Sequence, residues 1–311
     1  MQKAVLAALF ALMAGSASAA KVYVTEEGAG SIGVIDAASG ATEASIKVGG
    51  RPRGLAIAPD GKRVFVSDMA SNGLLVLDTA TREPVARIAL GESPEGVYIS
   101  RDGKWIAAAV EKAQSVAFVD TEKLAVVFKV KVPGENPEHS VFSPDGKYVF
   151  AGAEDGEQVD VIDVARKKVV ASVMVGKRPR GIAFSPDGKL AYVACELSDA
   201  VWIVDVATFK PLGSIKAGVR ANGLAISPDG ATLYVSNGGD GTVSFIDTAK
   251  RELTTTLPVG KRPWNMSLDR SGGKLYVAAG RSNQVTVIDT VARTVAATIP
   301  VGDTPWGAFA D

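Results

Sequence analysis

The chain has 311 residues, of which 47% are hydrophobic, and it carries 34 basic and 34 acidic side chains. This composition allows a large buried core, while zero formal net charge provides no overall field that would attract nucleic acid or an anionic membrane. With one cysteine, Cys195, and one histidine, His139, the chain has no intramolecular disulfide, CxxC metal site or CxxCH haem attachment.

The first predicted element is an export signal. Lys3 precedes the apolar run 4–14, and the small-x-small tripeptide 17–19 follows it, which is typical of a cleavable signal peptide. The apolar run is short for a bilayer span, and an uncleaved anchor is the alternative. We expect residues 1–20 to be removed, residues 21–311 to form one domain, and the location to be the bacterial periplasm, with no membrane span after cleavage.

The mature chain consists of a repeat of about 42 residues. One landmark is a proline in a G-x-x-P loop, with Ala221 in its place once; these prolines are Pro52, Pro94, Pro137, Pro179, Pro263 and Pro305. Another landmark is an aspartate that closes a V-x-V-I-D-like segment, namely Asp36, Asp78, Asp120, Asp163, Asp205, Asp247 and Asp289. Each series contains a single spacing of 43, which places one extra residue between Asp120 and Pro137.

Each repeat predicts four strands. In the fifth copy, these are segments 223–227, 233–237, 242–247 and 253–259, separated by turn residues such as Pro-Asp-Gly and Gly-Gly-Asp-Gly. Four short strands at this period, without helical periodicity, predict a propeller blade. A solenoid is the competing structure, but it would need polar capping repeats at its ends, and none are visible in the sequence.

The two ends of the mature chain predict how the ring closes. Lys21 begins what is the second strand of a repeat, and the segment 305–310 is the first strand of another. We therefore expect an all-β, seven-bladed propeller of four-stranded blades in which the C-terminal strand completes the first blade. Such closure removes open sheet edges, and we expect a monomer.

The repeat also carries a family resemblance. The segments Tyr23-Val24-Thr25 and Tyr234-Val235-Ser236-Asn237, with V-I-D, I-x-V-G-x-x-P and S-P-D-G-K, resemble the YVTN family of β-propeller repeats over nearly the whole mature chain. The size, signal and seven repeats look most like the bacterial propellers associated with PQQ-dependent catabolism. That resemblance implies a periplasmic accessory protein of alcohol oxidation. More distantly, the chain resembles haem d1 and lactonase propellers.

The loops that lead into each innermost strand predict a ligand-binding or partner-binding face around the channel mouth. The residues that follow the loop proline, or Ala221, are Arg53, Glu95, Glu138, Arg180, Asn222, Trp264 and Trp306. The next position is glycine in five repeats, but His139 and Asn265 in the other two. Glycine suits a place where backbones crowd, so we expect these two side chains to project into or beside the channel.

Four glutamates occupy equivalent loops between the second and third strands, and these are Glu27, Glu111, Glu154 and Glu196. Carboxylate oxygens suit Ca²⁺, so one interpretation is a metal site at the rim. The other is a solvated acidic rim, which nearby arginines favour because they compete with a metal for the carboxylates. The regular strand-closing aspartates are expected to accept backbone hydrogen bonds in turns, and Cys195 is expected to be a buried thiol.

Three functions remain open on the sequence. The first is a non-catalytic binding or scaffold propeller that holds a periplasmic protein partner or a small ligand at the channel mouth, with no cofactor. The second is a metal-dependent, lactonase-type hydrolase that uses Ca²⁺ at the rim glutamates. The third is a propeller that binds haem or another flat cofactor with His139 as axial ligand.

Overall fold

The computed structural model describes residues 20–311, so the predicted signal peptide, apart from Ala20, lies outside the described residues. Within this range the chain forms seven antiparallel sheets of four strands each, together with one short 3₁₀ helix, Glu196–Ser198. The prediction of a seven-bladed all-β propeller is confirmed. The same range contains no helix with the length and apolar character that a bilayer span requires.

The strands follow one another in chain order, and each blade after the first uses four consecutive ones. The first seven are β1 (Lys21–Glu26), β2 (Ser31–Asp36), β3 (Thr42–Lys47), β4 (Pro52–Ile57), β5 (Arg63–Asp68), β6 (Gly73–Asp78) and β7 (Pro84–Ala89). The next eight are β8 (Pro94–Ile99), β9 (Trp105–Val110), β10 (Ser115–Asp120), β11 (Ala125–Lys131), β12 (Pro137–Phe142), β13 (Tyr148–Ala153), β14 (Gln158–Asp163) and β15 (Lys168–Met174).

Three further blades and the closing strand complete the chain. Their strands are β16 (Pro179–Phe184), β17 (Leu190–Cys195), β18 (Ala200–Asp205), β19 (Lys210–Lys216), β20 (Ala221–Ile226), β21 (Thr232–Asn237), β22 (Thr242–Asp247), β23 (Glu252–Pro258), β24 (Pro263–Leu268), β25 (Lys274–Ala279), β26 (Gln284–Asp289), β27 (Thr294–Pro300) and β28 (Pro305–Ala310).

The ring closes as the repeat pattern predicts. Strand β28 pairs with β1, so blade 1 has the order β28-β1-β2-β3, and Tyr23 lies opposite Phe309. The innermost strands of successive blades contact one another around the ring, from β4 through β8, β12, β16, β20 and β24 to β28 and back to β4. They surround a central channel.

The hydrophobic core lies between the blades. Seven buried clusters fill the seven blade interfaces, one cluster at each. At the interface of blades 2 and 3, for example, Phe65 and Leu74 pack against Val97 and Ile106. Both faces of the middle strands are therefore buried, which explains why they read as nearly continuous apolar runs rather than alternating ones. Cys195 is fully buried in the cluster between blades 4 and 5.

The periodic aspartates stabilise turns on the face opposite the channel mouth. The Asp205 carboxylate accepts hydrogen bonds from the backbone N–H and the hydroxyl of Thr208, both at 2.7 Å. Asp187, in an S-P-D-G-K turn, accepts from Ser185 Oγ at 2.7 Å and from the Lys189 backbone N–H at 3.1 Å. The Ser185 hydroxyl and the Lys189 backbone N–H hold the pKa of Asp187 near 2. These carboxylates serve the scaffold, as their regular spacing predicts.

The extra residue lies in the loop that leads into blade 4. Five residues, 132–136, separate β11 from β12, whereas each of the other loops between blades has four. The buried Asp160 carboxylate accepts a hydrogen bond from the Gly134 backbone N–H at 2.8 Å, and it also accepts from Ser172 and Gln158. The longer loop is thus fixed in place directly before Glu138 and His139.

Candidate functional site

The loops that lead into the innermost strands surround a cavity of about 790 Å³ at one end of the channel. Eight of the nine residues predicted for the binding face line it: Arg53, Glu95, Glu138, Arg180, Asn222, Trp264, Asn265 and Trp306. The ninth, His139, is 1% exposed and lies beneath the lining. Of the four candidate metal glutamates, Glu27, Glu111 and Glu154 line the cavity, whereas Glu196 has no exposed surface.

Glycines let the innermost strands approach closely at the mouth. A Cβ atom on Gly54 would lie 2.5 Å from the Val97 backbone nitrogen, and one on Gly223 would lie 2.3 Å from the Trp264 carbonyl oxygen. Both distances are shorter than any real Cβ contact. The backbone crowding expected from the sequence is therefore present, and it fixes the spacing of the side chains around the rim.

Arg53 joins the glutamates of the two neighbouring blades. Its guanidinium contacts both carboxylate oxygens of Glu95 at 2.6 Å and Glu27 at 3.1 Å, and Arg51 also pairs with Glu27. Burial is the main cause that raises the pKa of Glu95; the Arg53 guanidinium opposes this shift, and the charges of Glu111 and Glu27 add to it. Carboxylates are therefore in excess in this part of the mouth.

A second ion-pair cluster forms around Glu196. This carboxylate contacts Arg180 and Arg262 at 2.8 Å, and it lies 3.3 Å from Arg178 and 3.6 Å from Arg220. Burial raises the pKa of Glu196, but the Arg180 and Arg262 guanidinium groups outweigh burial and hold that pKa below its usual range. One carboxylate is thus shared among four cations.

Arg180 connects this cluster to blade 4. It pairs with Glu138 and lies 3.1 Å from Glu154, which also pairs with Arg178. Burial lowers the pKa of Arg180 despite these partners. The side chain is 10% exposed and serves three carboxylates, so it belongs to the wall of the cavity.

His139 lies across the channel from Trp306. The His139 ring stacks on Trp306 of blade 1 with centroids 6.0 Å apart and an interplanar angle of 16°. Its Nδ1 shares a hydrogen bond of 2.5 Å with the Tyr98 hydroxyl of blade 3. Burial lowers the pKa of His139 to about 4, so the ring is neutral at neutral pH. His139 thus belongs to a layer built from three blades, deeper than the rim.

This layer divides the channel. Above it is the charged mouth, and below it a mainly apolar cavity of about 270 Å³ is lined by residues that include Tyr98, Phe309, Leu224 and Met266. Asn265 lines both cavities and lies 3.5 Å, through Nδ2, from the Trp306 carbonyl oxygen. The two positions where repeats replace glycine, His139 and Asn265, therefore both lie at this layer. We call the His139–Trp306 pair, with Tyr98 and Asn265, the floor of the mouth.

The donor set at the rim does not fit a metal ion. Glu27, Glu154 and Glu196 are paired with arginines, and Glu111 accepts a hydrogen bond from Ser93 Oγ at 2.6 Å. Among residues 20–311, no group of three or more His, Cys, Asp or Glu side chains is arranged to hold a metal. The site also does not fit haem ligated by His139, because Trp306 stacks on that ring and the side chain is buried.

The sequence pattern missed two kinds of site residue. Arg51 and Arg178 immediately precede the loop proline, a position that is also arginine in two further repeats, as Arg220 and Arg262. That recurrence was the available signal. Tyr98 gives no such signal, because its role follows from contact with the next blade.

The fold resembles solved propellers of low sequence identity. Hydrazine synthase of Kuenenia stuttgartiensis matches with a TM-score of 0.75 and 22% identity, over 82% of this chain and 88% of that chain. A functionally unknown protein from Desulfotomaculum acetoxidans matches with a TM-score of 0.81 and 19% identity, over 93% of this chain and 98% of that one. At these identities the likeness concerns the fold.

Sequence comparison assigns the family. No curated protein matches the chain in sequence. A sequence model of the YNCE-like beta-propellers matches residues 4–311, which include every blade and every residue of the channel mouth described above. The chain is therefore a member of the YNCE-like beta-propeller family.

Proposed function

We propose that this propeller is a non-catalytic binding protein that holds a small ligand in the channel mouth. The observation that carries the proposal is the mouth itself, a concave cavity of about 790 Å³ with a floor and a wall of fixed charges. Cavities of this size are typical of small-molecule sites, in which a few polar groups fix the orientation of the ligand.

The ion pairs support a preformed site. Arg53 is held by carboxylates of both neighbouring blades, and Arg180 by carboxylates of blade 4 and of its own blade, so their positions do not depend on a ligand. A site whose groups are already ordered loses less conformational entropy when a ligand binds. Trp264 and Trp306 add two aromatic rings to the lining, and such rings supply much of the contact energy in binding sites.

The burial of the histidine and of the cysteine supports binding rather than catalysis by either group. The neutral imidazole of His139 lies beneath Trp306, and the Cys195 thiol is buried, which raises its pKa to about 12. A general base or a nucleophile needs access to the substrate. Neither of these groups lines the cavity.

The biological setting is part of the same proposal. The predicted signal in residues 1–20 supports a periplasmic protein, and the resemblance in size, signal and seven repeats to propellers of PQQ-dependent catabolism supports an accessory role in alcohol oxidation. In that role the ligand would be a small molecule of the pathway, or the mouth would dock a periplasmic partner. Loss of growth on alcohols after deletion of the gene, restored by the wild-type chain, is the expected result, and unchanged growth would contradict the pathway assignment.

Release of bound molecules tests the binding function. The purified chain is incubated with a small-molecule fraction of periplasmic extract, washed and denatured, and the released compounds are identified by mass spectrometry. Wild type and the control Lys189→Ala, an exposed change on the opposite face, are expected to retain the same compound, whereas Trp264→Ala loses it. Equal retention by Trp264→Ala, or no retained compound, would contradict a ligand site at the mouth.

A further inference from the structure

The charges of the mouth are separated across the channel. On the side of blades 1–4, the lining has five glutamates and two arginines; these are Glu27, Glu95, Glu111, Glu138, Glu154, Arg51 and Arg53. The lining contributed by blades 5–7 and the loops that precede them has three arginines, Arg178, Arg180 and Arg262, and no acidic residue. The ion pairs between these two sets of residues do not neutralise the charges at the two opposite ends of the cavity.

Glu111 is the carboxylate at the negative extreme. It belongs to blade 3, lines the cavity, and has no arginine or lysine partner within residues 20–311; its hydrogen-bond donor is the neutral Ser93. Its negative charge contributes to raising the pKa of Glu95. A cationic group bound here would neutralise charge that the protein leaves uncompensated.

Arg262 lies near the positive extreme. The loop between blades 6 and 7 carries it, and in a seven-membered ring this place is opposite blade 3. Arg262 and Arg220 share the single carboxylate Glu196 with two other arginines. Arg262 also lines an adjoining groove of about 600 Å³ with Arg220, Lys261 and Arg281, in which Asp240 is the acidic residue. An anionic group bound beside Arg262 would be favoured here.

Polar and aromatic groups lie between these extremes. Asn222 is 4% exposed and lines the cavity. A side-chain amide in the wall of a cavity can donate a hydrogen bond to a ligand and accept one from it. Trp306 extends from blade 1 to stack on His139 of blade 4, and it lines the same cavity as Glu111 and Arg262.

We propose that the ligand of the mouth is a small zwitterion with an ammonium group at one end and a carboxylate at the other, its ammonium bound at Glu111 and its carboxylate at Arg262. This inference rests on the proposed binding function and narrows it to one chemical class. A molecule with one charge would satisfy only one end of the cavity and would pay the desolvation of the other end without compensation.

A series of ω-amino acids, from glycine to 8-aminooctanoate, tests the proposal by isothermal titration calorimetry on the mature wild-type chain. The series varies the distance between the charges, and n-alkylamines and fatty acids of matched length carry only one charge. We expect the affinity to peak at one chain length, with the matched single-charge compounds about tenfold or more weaker. Equal affinity for a matched single-charge compound would overturn the proposal.

The variant Glu111→Gln separates ligand recognition from a structural role. It keeps the side-chain size and the hydrogen bond to Ser93, so we expect the unfolding midpoint to stay near that of wild type. The best ω-amino acid is expected to bind about tenfold more weakly, whereas the matched fatty acid binds as well as before or better, because the mouth has lost a negative charge. Unchanged affinity for the zwitterion, or equal losses for both compounds, would overturn the assignment of Glu111.

The outcomes distinguish this inference from the binding function on which it rests. If no ω-amino acid binds but wild type retains another compound from periplasmic extract and Trp264→Ala does not, the zwitterion is wrong and the binding function stands. If wild type binds no ω-amino acid and retains no compound, both are wrong. Binding of a zwitterion that requires both Glu111 and Trp264 supports both.

Discussion

His139 and Trp306 stack on each other across the channel, although they belong to blades 4 and 1 and lie far apart in the sequence. The pair separates a charged mouth from a mainly apolar cavity below it. The floor therefore depends on closure of the ring, because Trp306 lies on the C-terminal strand that completes blade 1. This contact links the architecture of the repeat to the shape of the candidate site.

Burial of neutral His139 predicts a pH-dependent stability. Burial lowers its pKa from 6.5 to about 4, so the unfolded chain binds a proton that the folded chain does not bind in that range. The stabilisation that comes from keeping His139 neutral is therefore fully present above pH 6.5. As the pH falls towards 4, the free energy of unfolding decreases by roughly 3 kcal/mol. Urea unfolding of wild type at a series of pH values measures it.

The variant His139→Gln isolates this contribution from that of the carboxylates. Gln does not titrate, so the difference in unfolding free energy between the variant and wild type is expected to change across the range from pH 6.5 to 4. A difference that stays constant with pH would show that His139 is not held neutral by burial.

Glu196 is predicted to be the most sensitive carboxylate of the rim. Glu196→Ala removes the anion shared by four arginines and leaves their charges crowded together. Removal of one partner from a buried ion pair costs about 3 kcal/mol or more. The exposed Glu122→Ala is the control, with a change expected within about 0.5 kcal/mol. Denaturant unfolding measures both variants. Similar decreases in their unfolding free energy would contradict a stabilising role for the Glu196 cluster.

Arg220 is predicted to contribute positive charge for ligand binding and to contribute little to the stability of the fold. It has a φ of 59°, in the left-handed region, and among residues 20–311 its exposed guanidinium forms a single ion pair, with Glu196 at 3.6 Å. Asn tolerates this backbone conformation better than Arg. Arg220→Asn is therefore expected to keep or slightly raise the unfolding midpoint while it weakens zwitterion binding. A large fall in the midpoint, or unchanged binding in the titration, would argue against this role.

The Cys195 thiol is predicted to be unreactive in the native chain. It is fully buried, and burial raises its pKa to about 12, so almost no thiolate exists near neutral pH. Ellman's reagent is expected to modify it only after denaturation. Rapid modification under native conditions would show that the interface between blades 4 and 5 opens readily.

Much of the fold could be predicted from the sequence because the same pattern of strands and turns recurs in every repeat. The loop prolines and strand-closing aspartates give the number of blades, and the segments that begin at Lys21 and end at Ala310 give the closure. The replacement of glycine by His139 and Asn265 also pointed to the layer that became the floor. The types and the spacing of residues at equivalent repeat positions are enough for these predictions, and a single sequence contains both.

The depth and the partners of the site residues could not be predicted in the same way. His139 was expected in or beside the channel, but its contact with Trp306 depends on the diameter of the closed ring. The shared position of Glu196 among arginines depends on how side chains from several blades converge. Arg53 and Glu95 occupy equivalent places in adjacent repeats, and so do Glu138 and Arg180, so the register alone could have suggested these two pairings.

We expect a small ligand to occupy the mouth above the His139–Trp306 floor. Nitrogen-15 NMR of the indole N–H groups tests it directly, because the chain has four tryptophans and two of them, Trp264 and Trp306, line the cavity. On titration with the best-binding ω-amino acid, these two resonances are expected to shift while those of Trp105 and Trp202 stay unchanged. Shifts confined to Trp105 and Trp202, or no shift at all, would contradict a ligand site at the mouth.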